Sequence, residues 1–309
     1  MHVRGVTEDM SNGIGIRQNE AGMVKLLWAR KQIFKRVKMV QGFYVGFTFA
    51  LPTVSLIVAL QFEGYKQWVS LVAIAVGALD ALFFDAWRKE KIKIAARLQE
   101  QFDCHVLEIK WNGFAAGKKI SPQKVEEYAD ATMDADARGR LENWYPEQSC
   151  AMPLQAARLV CQRTNLWYDS NLRNTYRTVL WSLTVVYFLV LLAFFIDFTL
   201  VEVVLGLLIP FGPLFTWVVR EHQRQGDTIR LVNRLLDEID ASLDDLVDAK
   251  RSLKVDARAR ELQDAIFTHR SSSPLISDLI YKFKRPKLEI KMKKRAEAFV
   301  QRIGDITGR

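Results

Sequence analysis

The sequence predicts a mainly α membrane protein: four transmembrane helices in two hairpins, with a small cytosolic α(+β) insertion between them and a helical cytosolic C-terminal region. Three observations predict it. Apolar residues make up 50% and charged residues 26% of the 309 positions, and the two classes are segregated along the chain. Four apolar runs, 42–60, 68–84, 178–196 and 199–219, contain only Asp80 and Glu202 as ionised groups. At about 1.5 Å per residue each run crosses or nearly crosses a hydrocarbon layer about 30 Å thick. Finally, 43 of the 44 Lys and Arg lie outside the hairpins 42–87 and 178–219, which hold only Lys66. By the positive-inside rule this asymmetry places both termini in the cytoplasm. The outer loops, 61–67 and 197–198, are then too short to form an external domain.

Residues 1–41 begin with polar residues and the turn signal Asn12-Gly13, then read from about Ala21 as a basic helix entering the first span. No apolar h-region or cleavage pattern suggests a signal peptide. Pro52 marks a bend in the first span. The second carries Ala73, Gly77 and Ala81 at steps of four, a small-residue ridge that lets another helix approach closely. Asp80 lies near that face, and an ionisable group at such depth should face protein or water. The expectation is that helix two lines a pore in an oligomer, with Asp80 and Asp85 as an acidic ring favouring cations. The alternative is that Asp80 bonds within the bundle.

The insertion, 88–177, starts as a helix, with Ile94, Leu98 and Phe102 at steps of four. Leu107, Ile109 and Trp111 alternate with Glu108 and Lys110, the period of a short strand ended by Asn112-Gly113. Ser121-Pro122 is an N-cap and first-turn pair, and Asn143-Trp144-Tyr145-Pro146 is an aromatic turn. From Pro153 one long helix runs into the third span. On it Arg158, Gln162, Asn165, Asp169 and Arg173 stack as one polar stripe, with Asp169 and Arg173 in the favourable order for an ion pair. The stripe is either a solvated face or a ligand or subunit contact wired to the membrane.

The fourth span, 199–219, holds Gly206, Pro210, Gly212 and Pro213, which permit a kink serving as a gate hinge or a packing bend. In the tail, 220–309, Val232, Leu236, Ile239, Leu243 and Leu246 form a coiled-coil-like seam. Such a seam packs within its domain or joins subunits. A break at Ser271-Ser272-Ser273-Pro274 precedes a basic run that includes Lys282, Lys284, Arg285, Lys287, Lys291, Lys293, Lys294 and Arg295. That run is expected to bind anionic headgroups. No recognition module accompanies it, so no DNA or RNA polymer is expected as partner.

Catalytic motifs are absent, and His2, His105, His222 and His269 show no triad spacing. An enzyme is therefore not expected, nor is a metal or a cofactor. Cys104, Cys150 and Cys161 read as free thiols in a reducing compartment.

The strings Glu100-Gln101-Phe102-Asp103-Cys104, Trp111-Asn112, Asn143-Trp144-Tyr145-Pro146 and, above all, Ala157 to Asp169 running on to Leu172-Arg173 and Tyr176 carry a resemblance. With the two-plus-two layout of spans, the chain resembles the SMODS-associating four-transmembrane effector family, pore-forming proteins of bacterial anti-phage signalling of the CBASS type. The resemblance implies an oligomeric inner-membrane effector that forms a pore or disrupts the bilayer in abortive infection. Its implied control is a cyclic oligonucleotide made by a neighbouring nucleotidyltransferase. On that implication Arg158, Arg163 and Arg173 meet phosphates, Gln162, Asn165, Asp169 and Asn112 supply polar contacts, and Trp111, Trp144, Tyr145, Trp167 and Tyr168 stack on bases. The rival place for most of these aromatics is the core of a small domain. In architecture alone the layout also resembles bestrophin-type channels, which supplies a housekeeping ion channel as the alternative, with a membrane scaffold as a third class.

Overall fold

Among the described residues five long stretches of helix account for most of the architecture, and four of them are far longer than a bilayer is thick. The computed structural model describes residues 12–247 and 255–276, with scattered positions between 278 and 297. After a short helix α1 (Ile14–Arg17), α2 (Ala21–Gln61) runs unbroken for 41 residues, about 60 Å at 1.5 Å per residue. A 3-10 turn at Glu63–Tyr65 reverses the chain into α3 (Lys66–Leu79), a π-helical turn (Asp80–Phe84) and α4 (Asp85–Val106). Three short helices follow, α5 (Gly113–Ala116), α6 (Pro122–Tyr128) and α7 (Ala135–Gly139). The 40-residue α8 (Leu154–Ala193) leads back to the second hairpin. That hairpin returns through α9 (Leu200–Val203), a second π turn (Val204–Leu208) and α10 (Ile209–Val247). A last helix, α11 (Val255–Ser272), folds back on the domain.

Four of these helices are long and apolar enough to cross a membrane, and the protein is a multi-pass membrane protein. Their apolar halves present Phe43, Phe47, Leu71, Ile74, Leu183, Leu189 and Val201 outward, as spans facing lipid do. Glu202, the acid in the fourth span, sits at its N-terminal end: its carboxylate accepts from the Thr199 backbone N–H at 2.9 Å while Thr199 Oγ1 accepts from the Glu202 N–H, a capping box.

Two cores result. Within the membrane, Leu56, Leu180, Leu191, Phe195, Leu207, Phe211, Leu214, Trp217 and Val218 pack together. Outside it, a larger core draws on Leu27 and Ile33 of α2, Leu98 and Phe102 of α4, Tyr145 of the loop after α7, Leu159 and Leu166 of α8, Val232 and Ile239 of α10, and Leu262 and Ile266 of α11. The N-terminal stretch, the insertion and the tail therefore build one extramembrane domain.

Two expectations are corrected here. No strand occurs among the described residues. Leu107 and Ile109 are buried, and Glu108 and Lys110 exposed, so the alternation is real burial without a partner strand. The segment is the turn that ends α4, with Glu108 at φ 50° and the Ile109 N–H donating to Cys104 O at 2.9 Å. The seam on α10 is spent inside the chain: Val232, Ile239 and Leu243 are buried in the extramembrane core, with Leu236 and Leu246 against it. It is not a free surface for joining subunits. Ser121 does cap α6, accepting from Lys124 N–H with Pro122 in the first turn.

Candidate functional site

Two polar constructions sit where ordinary helix packing would place apolar residues. The first is a charged seam between the second and fourth spans. Asp80 and Asp85 are five residues apart, which on a regular α-helix sets them about 140° apart around the axis. The π turn at Asp80–Phe84 absorbs the extra residue and turns both acids toward α10. There Arg220 and Arg224, four apart, meet them in the same order. Arg220 Nη2 lies 2.5 Å from Asp80 Oδ2, and Arg224 donates to both Asp85 oxygens at 3.0 and 3.2 Å. Arg88 and Lys89 complete the Asp85 shell at 2.5 and 2.6 Å. Asp80 is 3% exposed. An isolated carboxylate at this depth would be prohibitive, and an ion pair with further hydrogen bonds is what makes it tenable. A narrow cleft beside Asp80 is lined by Gln41, Tyr44, Trp87 and Arg88 among others.

Within the single chain, then, Asp80 and Asp85 bond across the bundle rather than facing an open channel. The small-residue ridge serves the same contact: Ala73 is fully buried, and a Cβ at Gly77 would sit 3.9 Å from the Pro213 ring. Ser70 Oγ donates to Leu205 O at 2.9 Å, inside the second π turn. That turn widens the helix just ahead of Pro210, where the missing N–H already weakens the ladder. Pro210 is buried, Gly212 and Pro213 half-buried, and Pro213 faces Gly77 of α3. Pro52 has a similar setting, because Tyr187 OH donates to Phe49 O at 2.7 Å in the preceding turn.

The second construction is a buried polar network in the extramembrane domain, joining α4, α8 and α11. Glu100 and Asp103, each 1% exposed, are its acids. Arg260 binds Glu100 at 2.8 Å and Asp264 at 2.7 Å, Gln263 donates to Glu100 at 2.7 Å and to Asp103 at 3.2 Å, and Arg270 pairs with Asp103. Tyr145, 1% exposed and stacked on Phe102, donates its hydroxyl to Asp103 at 2.7 Å. Burial, reinforced by Asp103, pushes the Tyr145 hydroxyl well above its ordinary value. Burial opposes the Arg270 charge, but the Asp103 carboxylate beside it outweighs burial and raises the guanidinium's pKa.

The stripe on α8 feeds this network from the other side. Arg158 donates to Leu107 O at 2.6 Å and Glu108 O at 2.8 Å, the carbonyls that the end of α4 leaves without helical partners. Gln162 reaches Ala259 O and Gln263 at 3.0 and 2.9 Å, and Arg163 takes Asp240 of α10 at 2.5 and 2.9 Å. Asn165 touches the Tyr145 hydroxyl at 3.4 Å. Asp169 binds Arg173 at 2.6 Å and His269 at 2.9 Å, and Arg173 goes on to Gln225 and Pro274 O, each at 2.8 Å. Desolvation lowers the His269 pKa below its ordinary 6.5, with Asp169 opposing.

Of the expected ligand-facing residues, the stripe and Tyr145 are thus engaged within the fold. Trp144 packs edge-on to Phe102 with Arg30 over its ring at 4.7 Å, and Trp167 and Tyr168 are half-buried. Trp111 and Asn112 lie apart from these, at the start of α5. Asn112 caps α5 and donates to Asp264, and Lys119 stands 5.6 Å from the Trp111 ring. Beside them Phe114 is fully exposed, with Lys118 and Lys119 also in solvent. The partners on α11 went unrecognised in the sequence, although Arg260, Gln263, Phe267 and Arg270 recur at three, four and three residues, one helix face. Among the described residues no cluster suits a metal, and the cysteines are free thiols.

With the fold and its polar joints in view, comparison with known proteins is decisive. The family model for the SMODS-associating 4TM effector domain matches residues 12–299. The chain belongs to that family. Its match opens at Asn12, whose side chain donates to Ser149 O at 2.7 Å and Met152 O at 3.0 Å and so staples the N-terminal segment to the start of α8. A protein of Bacillus cereus (strain VD146) named "Probable CBASS effector molecule" is 23% identical over 286 residues, covering 89% of this chain and 94% of that protein. No solved structure matches the chain.

Proposed function

We propose that the protein is a CBASS anti-phage effector of the bacterial inner membrane, with both termini cytoplasmic, that permeabilises the bilayer when a cyclic oligonucleotide binds its extramembrane domain. Membership in the effector family and the name of the Bacillus relative support the setting, and the basic residues flanking every span support the orientation. The observation that carries the mechanism is the continuity of helices. α2, the α3–α4 helix, α8 and the α9–α10 helix each run from the extramembrane core into the bundle without a loop, so a shift in the domain displaces the spans as rigid rods. In the resting form the Asp80–Arg220 and Asp85–Arg224 pairs hold helix two against helix four. Release of those pairs frees acidic residues to line a path between several subunits, since four spans from one chain enclose no wide aqueous route.

The polar stripe on α8 then acts as the transmitter, linking α11 to the third span through Asp169, Arg173 and His269. The ligand's entry is placed at the exposed end of α5, where Trp111 and Phe114 offer ring faces and Lys118 and Lys119 offer charge for phosphates. The basic tail adds attachment to anionic lipid, although Lys282, Arg285 and Lys293 to Arg295 lie outside the described residues.

Planar-bilayer conductance of the purified protein tests this, with and without a panel of cyclic di- and trinucleotides. The expected result is discrete conductance with one nucleotide, lost in Phe114→Ala combined with Lys118→Glu. Steady conductance indifferent to every nucleotide would instead support the housekeeping channel.

A further inference from the structure

Four arginines flank the second hairpin on the side of the extramembrane domain: Arg173, Arg177, Arg220 and Arg224. Three of them are neutralised by acids, Arg173 by Asp169, Arg220 by Asp80 and Arg224 by Asp85. Arg177 has no carboxylate partner among the described residues. It lies across α10 instead, its Nε 3.0 Å and its Nη2 2.8 Å from His222 Nε2. The guanidinium occupies room left by Gly226, where a Cβ would come within 3.4 Å of Arg177 Cζ. Trp181, one turn into the third span, is 38% exposed and packs against the His222 ring at 5.3 Å between centroids.

A half-buried, uncompensated guanidinium at the first residue before an apolar span is at headgroup depth, where tryptophan rings also settle. Its Nη1 makes no hydrogen bond to the protein among the described residues, whereas both ring nitrogens of His222 lie within reach of Arg177, Nδ1 at 3.4 Å from Nε, so the free edge of the guanidinium is what faces an outside group. The low dielectric there makes an unmatched charge costly, and no acid among the described residues matches it. We propose that Arg177, His222 and Trp181 form a site for the phosphate of an anionic phospholipid in the leaflet nearest the extramembrane domain, seated at the junction of α8 and α10. Both helices run from that junction into the extramembrane core, so the bound headgroup braces the two rods that carry the signal.

The test is native mass spectrometry of the full-length protein released from phosphatidylcholine nanodiscs containing phosphatidylglycerol, counting retained lipid. The wild type is expected to keep phosphatidylglycerol in preference to phosphatidylcholine. Arg177→Gln is expected to lower that retention about fivefold, the effect of one interfacial cation. Arg177→Lys, which keeps the charge but not the planar fork, falls between them, and His222→Phe, which keeps the ring stack but removes the nitrogens, also loses retention. These two variants decide the matter should Arg177→Gln misfold. Lys35→Gln, an exposed cation on α2 before the first span, is expected to change nothing. Equal loss in Lys35→Gln, or no loss in any Arg177 or His222 variant, would overturn the site. Displacement of the lipid by inorganic phosphate at matched concentration would assign the pocket to a free anion and overturn the lipid reading.

Discussion

His269 shows how a single side chain couples the tail to the third span. It is 3% exposed, its Nε2 shares a hydrogen bond with Asp169 and its Nδ1 one with Ser273 Oγ at 3.0 Å. Arg173 and Arg270 are the cations nearest to it. Because burial depresses its folded pKa below 6.5, the unfolded chain takes up a proton first as pH falls. Stability is therefore retained above the ordinary histidine value and declines as pH drops below it. The thermal midpoint of the detergent-solubilised protein is expected to fall between pH 7.5 and 5.5, and His269→Gln to lower the midpoint at pH 7.5 while flattening that slope. An unchanged slope would show that the proton goes elsewhere. Arg158 makes a simpler case: Arg158→Ala removes the donor to Leu107 O, part-buried, and to the exposed Glu108 O, and is expected to cost about 1 kcal/mol in a denaturation series.

At the scale of elements the π turns matter most, and they were the least legible feature. Periodicity located all four spans, the long α8 and the cap at Ser121, because hydrophobic runs and N-cap chemistry are local. A π turn leaves no such local mark: Asp80 and Asp85 on one face become intelligible only once Arg220 and Arg224 are opposite. The false strand at Leu107 to Trp111 has a related cause, since alternation reports burial and a strand also needs a neighbour. The stripe from Arg158 to Arg173 was readable as one face, yet its partners lie about 100 residues away on α11 and no spacing announces them. Deleting Phe83 leaves Asp80 and Asp85 four residues apart, about 40° around a regular helix, and is expected to remove the π turn while keeping both acids toward α10. A double-mutant cycle of Asp85→Asn and Arg224→Gln, read as stability in nanodiscs, should show a coupling of about 0.5–3 kcal/mol in the intact chain. In the deletion variant it should persist in the same range. A coupling lost in the deletion variant would mean that the π turn does more than absorb one extra residue.

For the whole molecule, one extramembrane core and one bundle core share four rods, and the proposed activity depends on their stiffness. The junction on α8 between Ser170 and Tyr176 is where this is most accessible to experiment. Asn174 is exposed and Thr175 half-buried, and both bond only to carbonyls one turn back on the same helix. Replacing the two with glycines keeps length, register and every contact between helices, while each glycine adds about 1 kcal/mol of local flexibility cost. Replacing them with alanines removes the same side chains and leaves the rod stiff. Ligand-triggered dye release from vesicles is expected to drop severalfold in the Gly-Gly variant and to stay near wild type in the Ala-Ala variant, with membrane insertion equal in both. Equal release would mean that the signal passes through α2, α4 or α10 rather than through α8. A loss in both variants would mean that Asn174 or Thr175 acts through its side chain and that stiffness is not the quantity that matters.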